Sequence, residues 1–189
     1  MFGTLVQVIK SQDGCTEAVP IEQVKPGDEI LAVNDDGTVA GQPVIFVTEH
    51  PPGLNDLVEI TLQSGKSVTP THNHMMAVRI DGSFKLKQAA LVEIGDIFCS
   101  RTECGEVIED QIVKITKSTQ YSHCVNVIIP EGYLLVNDIA GSSRAIGDFC
   151  ETLRVAGLLI YRTLGTSAVI KYCKFGDWLS ETWVDRLLP

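Results

Sequence analysis

The 189-residue chain is 44% hydrophobic, enough for one substantial core or one core with a small appendage, and too short for two full-sized domains. Its formal net charge of -9 and pI near 4.8 exclude a nucleic-acid-backbone binder, which needs clustered Lys and Arg. The longest apolar stretch, residues 155–161, is far short of the roughly 20 that cross a bilayer, so no transmembrane helix is expected.

In chain order, Met1 to Val6 lacks the basic leader of a signal peptide and reads directly as a strand. Short runs rich in Val, Ile, Leu and Thr then follow at 5–9, 29–33, 43–47, 57–62, 75–80, 111–115, 124–129 and 133–136, separated by Gly, Pro, Asn and Asp clusters. Many short strands with regular turn signals predict a mostly β sandwich or barrel-like fold. Sliding the chain against itself places Val24-Lys25-Pro26-Gly27-Asp28 on Val92-Glu93-Ile94-Gly95-Asp96 at an offset of 68. The same offset puts Gly37 on Gly105, Val39 on Val107 and Val44-Ile45 on Ile112-Val113. At 67, Val58 falls on Val125, Ile60 on Val127, Leu62 on Ile129 and Gly65 on Gly132. Residues from about 5–65 and 72–136 thus form two degenerate copies, a repeat too long and too few for a solenoid, which predicts a pseudo-twofold pair. The Gly-Asp of each copy is expected to make a turn, with Gly at positive φ and Asp capping backbone N–H groups.

Beyond residue 143 the period becomes helical. Ile146, Phe149, Cys150, Leu153, Gly157, Ile160 and Leu164 predict one helix; Val169, Tyr172, Phe175, Trp178, Leu179, Trp183 and Leu187 predict a second, with Gly165-Thr166 as the stop between them. The chain therefore divides into a β region over 1–143 and a two-helix C-terminal appendage over 144–189. Six cysteines, Cys15, Cys99, Cys104, Cys124, Cys150 and Cys173, show no paired CxxC spacing and no disulfide-scaffold density. Cys99 and Cys104, five apart around a turn, are placed to bridge; otherwise the cysteines serve as small apolar residues.

Between the copies stands Val68-Thr69-Pro70-Thr71-His72-Asn73-His74-Met75-Met76-Ala77-Val78. A duplicated β layout carrying Thr-x-x-His after a strand resembles the Hint superfamily of hedgehog autoprocessing domains and inteins, over about residues 3 to 143. Thr69 with His72 and Thr71 with His74 both fit the spacing. The family's apolar run after the His favours Thr71 and His74, because Met75-Met76 follow only there.

The resemblance implies a Hint fold and a self-cleaving activity without a cofactor. The fused upstream polypeptide is the substrate in cis, and an acyl shift to a thioester or ester precedes transfer to a sterol, another lipid alcohol or water. His74 would protonate the leaving nitrogen and Thr71 would help hold the scissile peptide; read on their own, the two residues would satisfy turn backbone groups. Glu49, or His50 beside it, matches the acid that activates the incoming hydroxyl. Ser143 stands where hedgehog-type domains carry a Cys, so a thiol role there is absent. Met1 marks the approximate position of the family's nucleophile, which this chain lacks: a replaced Cys, a start just inside it and a lost activity all fit. The segment from Lys171 to Leu179 is similar to the hedgehog tail tied to sterol recognition, and the resemblance points to the secretory pathway or the extracellular space; a monomer is expected. Asn137-Asp138 is not the His-Asn ending of an intein, which favours transfer to a small acceptor over splicing. A non-cleaving Hint-fold binding module and a zinc site at His50, His72 and His74, short of a fourth ligand, are the competing readings.

Overall fold

Alternating apolar residues and turn glycines produce, among the described residues, twelve strands, two 3-10 turns and one α-helix. These are β1 (Leu5–Ile9), β2 (Thr16–Pro20), β3 (Glu29–Val33), β4 (Val39–Pro43), β5 (Phe46–Leu62), β6 (Ser67–Val68), β7 (His74–Ile80), β8 (Ser83–Gln88), β9 (Ile97–Arg101), β10 (Val107–Ile128), β11 (Tyr133–Val136), β12 (Ile139–Ala145) and α1 (Asp148–Leu164). The computed structural model describes residues 3–10, 15–145, 148–165, 167–168 and 171. The strands run in the order β2-β1-β3-β11-β12-β7-β9-β10-β5-β6, with β4 on β3 and β8 on β7.

The duplication is visible bond by bond. Lys25 N–H donates to Asp28 Oδ2 at 2.8 Å and Glu93 N–H to Asp96 Oδ2 at 2.8 Å. Gly27 and Gly95 sit at φ of 97° and 99°, where only glycine is unstrained. Gly27 N–H donates to Val44 O as Gly95 N–H does to Ile112 O. The β3–β4 register, from Glu29 opposite Pro43 to Val33 opposite Val39, recurs in β9–β10 from Ile97 opposite Gln111 to Arg101 opposite Val107.

The copies exchange strands. One core cluster joins Val6, Ile21, Val24, Ile30 and Val44 of the first copy to Val125, Val127 and Ile129 of the second. The other joins Met76, Ala89, Val92, Phe98 and Ile112 of the second to Val58, Ile60 and Leu62 of the first. Neither copy buries its apolar face without the other.

The sequence predicts separate strands at 43–47 and 57–62, and at 111–115 and 124–129. The runs at 111–115 and 124–129 join in β10, and 57–62 joins Phe46-Val47 in β5 while Pro43 ends β4; β5 pairs with residues 112–128 of β10, so the polar stretches between the apolar runs are held in the ladder. Pro51 and Pro52, which have no N–H to donate, fall where the register shifts between Ser122 and Cys124, a place that needs no donor. Two-residue hairpins with both central residues at positive φ, Asp81-Gly82 and Asn137-Asp138, close β7–β8 and β11–β12. Helix α1 accords with the first predicted helix and packs Leu158, Ile160 and Tyr161 on Ile45 and Ile128. The second, from Val169 to Leu187, lies outside the described residues except for Lys171, as does the aromatic segment after it to Leu179.

The bridge expected between Cys99 and Cys104 is not made; both thiols are free. Cys99 faces inward from β9 with Val33, Leu135 and Ala140, while Cys104 is exposed in the turn beyond. Burial also pushes the Cys99 thiol pKa up. In native protein, the exposed Cys104 is expected to react with a thiol reagent far faster than the buried Cys99, which should react only on the timescale of unfolding. Time-resolved labelling read by peptide mass checks this, and prompt modification of Cys99 would contradict its burial.

Candidate active site

The turn from Pro70 to His74 is tied down on every side. Val58 N–H donates to Pro70 O at 3.0 Å, His72 N–H to Asp56 O at 2.8 Å and Ala90 N–H to His72 O at 3.0 Å. Thr71 forms a bridge with Leu57, and its carbonyl accepts from His74 N–H at 3.0 Å. Gln88 Nε2 donates to Asn73 Oδ1 at 2.9 Å. Thr71 and His74 are therefore positioned by β5 and β8 rather than by a free loop.

The His74 ring nitrogen Nε2 lies 2.9 Å from the carbonyl oxygen of Ser142. A carbonyl only accepts, so Nε2 carries the hydrogen, and in the neutral ring Nδ1 keeps a lone pair. That carbonyl lies in the stretch where the β12–β7 register shifts, between Gly141 and Ala145. Burial holds the His74 pKa below its ordinary 6.5, against the opposing pull of the Ser142 carbonyl.

A cavity of about 410 Å³ collects these groups. Thr4, His50, Thr71, His74, Cys124 and Asn126 stand on its wall, with Val68, Met76, Val127, Leu134 and Ile139 supplying apolar surface. The cavity sits on the pseudo-symmetry of the fold. β8 repeats β2 at an offset of 68 and their partners Met75 and Leu5 are 70 apart, so Thr4 stands where the second copy has His74. The chain is pinned as it joins the fold: Gly3 N–H reaches the Glu22 carboxylate, Leu5 N–H donates to Asn137 Oδ1 and Ile21 N–H to Thr4 O.

Of the residues singled out in the sequence, Thr71, His74 and His50 share the cavity, and so do the alternative pair Thr69 and His72. Glu49 does not line it; this exposed carboxylate faces the other way, 3.4 Å from His123 Nε2. Ser143 lies in β12, its side chain outside the described residues, and Met1 is likewise outside them. Among the described residues no group of three His, Cys, Asp or Glu side chains converges as metal ligands would, so the three histidines do not form the zinc arrangement. Sequence reading missed Cys124, Asn126 and Ser142. Asn126 was detectable as a polar residue inside the apolar run 124–129, whereas Cys124 reaches the cavity through its pairing with His50, and Ser142 contributes only a backbone oxygen.

The depressed His74 pKa has a consequence for stability. The unfolded chain takes up a proton near pH 6.5, the folded chain only at lower pH, so between the two pKa values the unfolded state binds more protons. The contribution of His74 is thus fully present above pH 6.5 and is lost as pH falls through that window. Urea midpoints should fall on acidification from pH 7 to 5 more steeply in the parent protein than in His74→Gln, and equal slopes would refute a buried, neutral His74.

A family model described as the Hint module matches residues 6–164. Among solved structures, an intein from a hyperthermophile is similar to the chain with a TM-score of 0.65 at 17% identity, over 74% of this chain and 95% of that one. The transcription factor IIB Mvu mini-intein gives 0.60 at 17%, over 74% and 96%. The bacterial intein-like domain from Clostridium thermocellum gives 0.56 at 20%, over 75% and 95%. No curated protein matches.

Proposed function

The chain belongs to the Hint module family of self-processing elements, which act in cis on flanking polypeptide, and from that premise we propose that it cleaves the peptide bond at the N-terminal edge of the fold. The observation that carries this reading is the shared cavity: Thr71 and His74 stand on the same wall as Thr4, where the chain joins β1. The two-region division near residue 143 is retained as part of the proposal.

The chemistry needs a thiol or hydroxyl at the position of Met1. Its sulfur or oxygen attacks the carbonyl carbon just upstream, the C–N bond breaks, and a thioester or ester replaces the amide. His74 Nδ1 takes up the nucleophile's proton and delivers it to the departing nitrogen, which leaves as a neutral amine. Thr71 orients the peptide and, with nearby backbone N–H groups, stabilises the tetrahedral oxyanion. In the second step an acceptor O–H adds to the thioester or ester carbonyl while His50 takes its proton, the C–S or C–O bond to the nucleophile breaks, and His50 returns that proton to the departing sulfur or oxygen. Water, a lipid alcohol or a sterol fits this scheme. The intein likeness supports a second outcome, in which a nucleophile of a downstream segment takes the acyl group and the flanks are joined.

A fusion carrying a reporter upstream and Met1→Cys tests the proposal. Hydroxylamine is expected to release the reporter as a hydroxamate of defined mass, and a spliced product would show as one chain containing both flanks. A folded fusion that yields neither overturns the reading.

A further inference from the structure

The long β5–β10 ribbon carries one face from the core out past the cavity. Cross-strand partners on that face are Ile60 with Ile115, Val58 with Lys117, Asp56 with Thr119 and Leu54 with Tyr121. The Thr119 hydroxyl donates to Asp56 Oδ1 at 2.6 Å, which confirms that the two side chains share this face. Lower down, Val58 and Ile60 are fully buried. At the top, Leu54 is 76% exposed and Tyr121 73% exposed, a directly opposed apolar pair that no described residue buries. Isolated exposed apolar residues need no explanation, but here two face each other and Leu54 is itself part of the cavity wall that also holds Thr4, Thr71 and His74.

We infer that Leu54 and Tyr121 form a docking platform for the polypeptide fused upstream, taking an apolar side chain within the last few residues before the bond to be cleaved. The inference rests on the cleavage reading above and adds a sequence preference to it. The path of the chain argues for this occupant. Gly3 is tethered to Glu22, and Thr4 lies on the same cavity wall as Leu54, so a segment joined ahead of Gly3 starts beside the cavity that the platform borders. An extended segment advances about 3.3 Å per residue, so the last six upstream residues reach roughly 20 Å from the junction. Held there, the segment loses the freedom that otherwise opposes alignment of its carbonyl for attack.

The test needs no cleavage. The full chain, with Met1 retained and an upstream segment bearing a leucine near the junction, carries a photoreactive benzoylphenylalanine in place of Tyr121. Illumination is expected to give intramolecular adducts mapping to the last six or so upstream residues, with yield falling severalfold on Leu54→Ser or when the upstream leucine becomes glycine. Adducts that instead join two copies and grow with concentration, that map to α1, that need an added lipid, or that ignore the upstream residue would overturn the inference. Cross-linking without hydroxylamine release from the Met1→Cys fusion would preserve the platform and refute the cleavage reading, so the two fail separately.

Discussion

His74→Ala, made in the fusion that carries Met1→Cys, is expected to slow formation of the hydroxylamine-sensitive species by about 10²- to 10⁴-fold, the usual worth of a positioned proton-transfer group. The amide is the reason for the size of the effect. Exchange of an amide for a thioester runs uphill unless the departing nitrogen is protonated, and His74 is the group on the cavity wall whose ring is held by a carbonyl at Nε2 and, among the described residues, makes no hydrogen bond at Nδ1. His74→Gln keeps a donor for the Ser142 carbonyl but cannot relay a proton, so it should lose as much activity as His74→Ala. Thr71→Ala, which removes one orienting interaction worth ~1.4 kcal/mol, should cost only about tenfold. Because burial depresses the His74 pKa, the relay-competent neutral ring persists on the acid side, and the rate should rise with pH through an inflection below 6.5. An inflection at or above 6.5, or a His74→Gln fusion that cleaves at the parent rate, would remove His74 from the chemistry.

How far these features were legible in the sequence follows from what each depends on. The repeat was legible because turn glycines and capping aspartates are local demands: Gly27 and Gly95 need positive φ, and Asp28 and Asp96 need backbone donors three residues before them. The Thr71/His74 turn was legible for a similar reason, as one short segment fixes both groups. The exchange of strands between copies was not. Val58 packs with the second copy and Val125 with the first, a fact about partners distant in the chain that no local pattern records. Cys124 and Asn126 reach the cavity only through the register of β5 against β10, and Glu49, adjacent to His50 in sequence, turns away from it because neighbours on a strand point to opposite faces. The Ser142 carbonyl is invisible to any reading of side chains, since a register shift and not a residue type presents it.

The largest stability loss is expected at Gly132, and its counterpart in the other copy supplies the control. Gly65 and Gly132 fall on each other in the repeat and both adopt positive φ, 85° and 76°. A Cβ on Gly65 would meet nothing within 4 Å, so Gly65→Ala carries only the left-handed backbone cost, about 1–2 kcal/mol. A Cβ on Gly132 would lie 2.6 Å from the Val33 carbonyl oxygen and 3.3 Å from its carbon, both backbone atoms of a paired strand. That contact is relieved only by moving β11 off β3, where Tyr133 pairs with Val33, which adds roughly 1–3 kcal/mol of overpacking. Gly132→Ala should therefore lose ~2–5 kcal/mol, a large part of the 5–15 kcal/mol that holds a typical domain. The displaced strand also pairs with β1 at Val6 and leads into Asn137, whose side chain grips Leu5 N–H. Cleavage in the Met1→Cys fusion should consequently fall in Gly132→Ala even under conditions where it remains folded, while Gly65→Ala cleaves normally. Urea unfolding of the two variants beside the parent, with hydroxylamine release measured on the same samples, separates these effects. Equal losses of stability at the two glycines would mean that β11 yields to the added methyl at no cost.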